Sequence, residues 1–118
     1  MFKNYKELYE NLVNEIEELW NNRKFKISIE DGEDINNFYE GYFDTLSDFY
    51  VDYLSKYKVR DKMNNIKIIN YRERYQDIVE RINDLHLKAM QESLFYGPFD
   101  EYVNGFLDCA RDLLAIIY

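Results

Sequence analysis

YRERYQDIVERINDL, residues 71–85, decides how the rest of the chain is read. Tyr71, Tyr75, Ile78, Ile82 and Leu85 alternate steps of four and three, which brings them to one face of a helix. Ile68 and Ala89 continue the same heptad spacing at either end. An earlier stretch, YKELYENLVNEIEEL at residues 5–19, aligns on it without a gap. Tyr5/Tyr71, Glu7/Glu73, Tyr9/Tyr75, Val13/Val79, Ile16/Ile82 and Leu19/Leu85 are identical, and Lys6/Arg72, Leu12/Ile78 and Glu18/Asp84 keep their character.

The likeness extends to a second pair of segments. GYFDTLSDF from Gly41 fits GFLDCARDL from Gly105, with the glycine and both aspartates retained. Any two amphipathic helices share an apolar rhythm, but that rhythm does not place matching Gly, Asp and Glu. The pattern predicts a duplicated helical hairpin, residues 1–59 and 60–118, within a single domain spanning 1–118. Neither half can bury its apolar face alone, so the expected fold class is all-α: a four-helix bundle with the halves packed about a pseudo-twofold. Glycine inside a helix is about 1 kcal/mol worse than alanine. Gly41 and Gly105 at matched positions therefore predict a close approach of two backbones.

Four helical segments follow from periodicity. The first carries Tyr5, Tyr9, Leu12, Ile16 and Leu19. A broad face of Phe38, Tyr39, Tyr42, Phe43, Leu46, Phe49, Tyr50, Tyr53 and Leu54 forms the second, and the 71–85 stretch the third. The fourth carries Phe99, Tyr102, Val103, Phe106, Ala110, Leu113, Leu114 and Ile117. Asp34 is positioned to cap the second helix, and Asn70 with Glu73 has capping-box spacing for the third. Gly97-Pro98 ahead of Asp100 and Glu101 predicts Pro98 at the first helical position of the fourth, with the two acids in its first turn. Between Asn21 and Glu33, the alternation Phe25, Ile27, Ile29 reads as a short strand, which Ile66 and Ile68 would pair as a small ribbon.

Composition agrees with this class. Of 118 residues, 47% are apolar and 32% charged, with only four glycines and one proline to make turns. The net charge is −8, from 15 basic and 23 acidic side chains. Nucleic acid or an anionic membrane is a poor partner for such a surface, and a basic protein surface a good one. A single cysteine excludes an internal disulfide. MFKNYKELYEN lacks the apolar core of a signal peptide, and the longest apolar run, Leu113 to Tyr118, is far short of a membrane span. The expected location is cytoplasmic, in a bacterial host cytosol. The closing stretch YVNGFLDCARDLL, residues 102–114, resembles the last helix of small proteins in Firmicute phages and prophages, which implies a mobile-element setting.

No catalytic signature is present: no phosphate-binding Gly-rich loop, no Cys/His cluster, no nucleophile elbow. His86 has Asn83, not Glu, three residues before it, so it does not complete the Glu-x-x-His of a bundle metal site, and it reads as a rim histidine. Cys109 reads as a buried, inert thiol. No catalytic residue, metal or cofactor is expected.

Two charged rows carry more information. Glu40, Asp44, Asp48 and Asp52 recur every four residues, and Asp108 and Asp112 repeat the pattern in the second half. Each step is about 6 Å along a helix axis, and rotation sets the first four opposite the aromatic face. Like charges so spaced destabilise a helix by about 0.2–0.5 kcal/mol per pair. They read either as a solvated face or as carboxylates that dock into a basic groove. Arg60, Lys67, Arg74, Arg81 and Lys88 recur every seven residues beside the heptad core, and are expected to pair within the molecule. Aromatic side chains make up 18%, including 12 tyrosines, most of them on core faces; Tyr57, Tyr96 and Tyr118 are expected at the surface.

The functional expectation is a small acidic inhibitor from a phage or mobile element. It would block a nucleic-acid-handling host defence enzyme, of the anti-CRISPR or anti-restriction type, by covering a basic surface with Glu40, Asp44, Asp48, Asp52, Asp108 and Asp112. The alternatives are an immunity or antitoxin protein masking a basic toxin, and a regulatory or structural homodimer.

Overall fold

The computed structural model describes residues 4–30, 37–51, 55, 57, 62 and 69–118, with the side chains of 23–30 excepted. The described elements are four helices in a bundle: α1 (Tyr5–Glu30), α2 (Asn37–Phe49), α3 (Tyr71–Tyr96) and α4 (Glu101–Ile117). No strand occurs among the described residues.

Three of the helices open on a side-chain cap. The Asn4 carboxamide accepts from the Glu7 amide at 3.3 Å, and Asn70 accepts from the Glu73 amide at 3.0 Å. Asp100 accepts from the Val103 amide at 3.0 Å. Each bond satisfies one of the donors a first turn leaves free. Asp34 lies outside the described residues. With Asp100 as the cap, Pro98 stands two residues ahead of that cap and is not the first residue of α4, and Asp100 itself precedes the first turn; the Pro98 carbonyl accepts from the Asn104 side chain at 2.9 Å. Gly97 ends α3 at φ +85°, a conformation costly for any residue with a Cβ.

The expected strand at Phe25–Ile29 is not formed. The backbone of α1 runs helically from Tyr5 to Glu30. The segment contains neither Gly nor Pro to stop a helix already five turns long, and extending a helix is far easier than nucleating one. An isolated two-stranded ribbon is marginal in water. Of the partner strand, 65–68 lie outside the described residues.

One core is shared by all four helices. Leu12 and Ile16 of α1, Tyr42 and Leu46 of α2, Ile78 and Ile82 of α3, and Cys109 and Leu113 of α4 are buried together. Each fully buried aliphatic side chain contributes about 1.5–3 kcal/mol, so this set dominates the folding energy. A smaller cluster of Ala89, Phe106, Leu107 and Ala110 joins α3 to α4. Trp20 lies between Phe43 at 5.1 Å and Tyr50 at 5.3 Å, both rings stacked on it, and this fixes α1 against α2. Phe99, expected in the core, projects into solvent from the corner before α4.

The cross-helix contacts come in reciprocal pairs. Tyr5 meets Tyr75 at 6.0 Å and Tyr9 meets Tyr71 at 5.6 Å, so α1 and α3 run antiparallel. Replacing each residue by its counterpart in the aligned stretches exchanges the two contacts. Gly41 and Gly105 behave alike. A Cβ built on Gly41 would strike the Tyr102 carbonyl, and one on Gly105 the Phe38 carbonyl. Tyr102 and Phe38 each stand three residues before the opposite glycine, so α2 and α4 cross antiparallel with backbone against backbone.

Candidate functional site

The acidic row of α2 begins beside this crossing. Core burial of Tyr42 and Leu46 fixes the rotation of α2, and Glu40, Asp44 and Asp48 consequently face solvent. Glu40, in the first turn, is favoured there by the helix dipole. Glu40 and Asp48 form no hydrogen bond or ion pair with a described residue. Asp44 accepts from the Tyr102 hydroxyl of α4 at 3.0 Å. Burial and the Asp44 hydrogen bond, followed by the charges of Asp44, Glu40 and Asp48, push the Tyr102 phenol up to about 12. The three carboxylates thus act together on one neighbouring group, as an unneutralised row should.

The second-half row is placed differently. Asp108 and Asp112 are half-buried, and both have partners within the chain. Asp112 accepts from the Tyr42 hydroxyl, which lets that tyrosine be buried with its polar end satisfied. Asp52 lies outside the described residues. The structure therefore gathers Glu40, Asp44 and Asp48 on one exposed face and sets Asp112 at the α2–α4 seam.

An open groove of about 640 Å³ adjoins the row. Asp48 and Phe49 of α2, Arg81, Asp84, Lys88 and Glu92 of α3, and Tyr102 of α4 are among its walls. It offers three carboxylates, two cations and a phenol around an aromatic floor.

Two of the five residues of the basic stripe, Arg74 and Arg81, are engaged inside the molecule. Arg74 is buried, its guanidinium 4.5 Å from the Tyr57 ring and 6.0 Å from Tyr9. Arg81 stands 3.7 Å from Asp77, which also accepts from the Tyr57 hydroxyl at 2.7 Å. Tyr57, expected at the surface, is thus half-buried between Arg74 and Asp77, whereas Tyr96 and Tyr118 are exposed as their positions at helix ends suggest. Lys88 is exposed, and Arg60 and Lys67 lie outside the described residues. The ring partners of Arg74 were not legible, because period and charge reveal a face and not its neighbour.

His86 is half-buried and Cys109 fully buried. No group of three His, Cys, Asp or Glu able to hold a metal occurs among the described residues. No described helix is long and apolar enough to cross a membrane. The chain matches no protein-family model, no curated protein and no solved structure.

Proposed function

We propose that the protein acts by binding, with the α2 row set against a basic surface of another protein. The occupant we favour is a nucleic-acid-handling host defence enzyme, and the action is inhibition of the anti-CRISPR or anti-restriction type. The reading rests on one observation above others: Glu40, Asp44 and Asp48 stand exposed at one-turn intervals, without a Lys or Arg of the described chain in salt-bridge contact. A four-residue step of about 6 Å is comparable to the spacing of backbone phosphates, so Arg and Lys residues arranged for nucleic acid meet it in register. The adjoining groove extends the row with Asp84 and Glu92, interleaved there with Arg81 and Lys88. Such contacts strengthen as water is excluded and weaken with added salt.

The test is protection in a bacterial host that carries a defined restriction or CRISPR system. Expression of the chain is expected to restore phage plating. The triple variant Glu40→Gln, Asp44→Asn, Asp48→Asn is expected to lose protection with its helical circular dichroism intact. Protection retained by that variant refutes the carboxylate reading. Rescue only from a co-expressed basic toxin selects the antitoxin alternative.

We also infer that the bundle arose by duplication of a hairpin. The paired Asn caps, the exchanged tyrosine contacts and the reciprocal glycines support that origin, since a shared apolar rhythm supplies none of them.

A further inference from the structure

A second apolar stripe runs along α3 on the side turned away from the core. Ile78, Ile82 and Ala89 are fully buried. At about 100° per residue, Leu87, Met90 and Leu94 fall on the opposite side of the helix. Their i, i+3, i+7 spacing is that of a helix-pairing seam. Beyond them Phe95, Tyr96 and Phe99 surround the corner into α4, with Phe95 and Tyr96 edge to face at 4.9 Å. Leu94, Phe95 and Phe99 are 86%, 81% and 95% exposed, and the other three about half.

At ~200 Å² per large side chain, these six expose roughly 800 Å². The largest apolar patch on a typical monomer is about 300–600 Å². A stable interface takes about 800 Å² from each partner, so the area suits one complete interface.

Charge selects the occupant. The chain carries −8, yet residues 86–99 contain only Lys88 and Glu92, which cancel. Both of these line the groove, rotated well away from the stripe. A basic partner finds no carboxylate to read along Leu87, Met90 and Leu94. A second copy meets no repulsion there, although it would over most of the acidic surface. The aligned positions in the first repeat are Asn21, Lys24 and Ser28, so the stripe is not a by-product of the shared core pattern.

We propose that α3 pairs antiparallel with α3 of a second copy of this chain. Met90 then sits near the twofold axis, with Leu87 of each copy against Leu94 of the other. Such an isologous contact closes on itself and stops at two. Both α2 rows remain free, so the dimer presents two acidic faces.

The experiment is sedimentation equilibrium on the full chain over a wide concentration range. Twice the 14.5 kDa protomer mass is the expected limit. Leu87→Glu with Leu94→Glu alters exposed positions only and is expected to keep the circular dichroism while weakening association at least ~100-fold. A Met90→Cys variant is expected to cross-link to itself with a short bis-maleimide, whereas the parent chain, whose Cys109 is buried, is not. A wild-type chain that stays monomeric throughout overturns the proposal, whatever covers the stripe instead. A dimer that persists in the double glutamate variant overturns the assignment of the surface.

Discussion

Replacing Gly41 by alanine is the sharpest test of how this bundle is held. In an unobstructed helix the change stabilises by about 1 kcal/mol, because alanine loses less conformational entropy on folding. Here the new methyl points at backbone. Besides the Tyr102 carbonyl oxygen it meets the carbonyl carbon at 2.9 Å and the Cα at 3.1 Å. No side-chain rotation relieves that contact, so α2 and α4 must move apart. Ordinary carbon contacts begin near ~3.5 Å, and a radial gap of ~0.5–1 Å forfeits a quarter to a half of each neighbouring contact. Overpacking typically costs about 1–3 kcal/mol, and a backbone obstruction belongs at the upper end. Set against the gain in helix propensity, the net loss is about 2 kcal/mol. Gly105→Ala meets the Tyr42 amide nitrogen at 2.8 Å and the Phe38 carbonyl carbon at 2.9 Å, and its loss should be of similar size.

Urea unfolding followed at 222 nm measures both. With a slope of about 1–3 kcal/mol per molar, each variant should shift the midpoint down by roughly 0.7–2 M. The double variant should lose less than the two singles combined, because the separation forced by one methyl also makes room for the other. An unchanged or raised midpoint for either single variant would refute the close crossing, and with it the account of why glycine stands at these positions.

Other outcomes follow from individual contacts. Asn4→Ala and Asn70→Ala should each cost about 1 kcal/mol in the same assay, because each leaves a first-turn amide without its acceptor. Arg74→Lys should destabilise by about 1 kcal/mol or more, since an ammonium cannot spread over the Tyr57 and Tyr9 rings as a guanidinium does; an unchanged midpoint would show those contacts contribute nothing. Tyr102, raised from 10.0 to about 12, should be a late tyrosine to ionise in an absorbance titration at alkaline pH. Its contribution to stability is full below pH 10, falls as the unfolded phenol ionises first, and is gone above about 12. Asp44→Asn should move that ionisation back toward the ordinary value; a titration that stays put would separate Tyr102 from the acidic row.

What could be read in advance has a common physical basis. Periodicity located every described helix, and Asn70 with Glu73 marked where α3 begins, because capping is settled within four residues of chain; the start of α4 was read three residues early, at Pro98. The exposure of Glu40, Asp44 and Asp48 followed from their rotation opposite Tyr42 and Leu46. The same logic failed for Phe99, which shares the rhythm of α4 but falls ahead of its cap. It failed also for Asp112, whose row looks outward until Tyr42 arrives from another helix. Periodicity did not single out the outward stripe of Leu87, Met90 and Leu94, because the longer core line on the opposite side of the same helix dominates the pattern.

The chain alone therefore determined the helical class and the close approach at the pair of glycines, since each depends on local propensity or on the placing of residues along a segment. Only the tertiary structure decided that Arg74 is enclosed by Tyr57 and Tyr9, and that Glu40, Asp44 and Asp48 are open while Asp108 and Asp112 are engaged. Those outcomes depend on which surface another helix covers. Neighbours distant in sequence supply or withhold the water, rings and hydroxyls that set the state of each side chain.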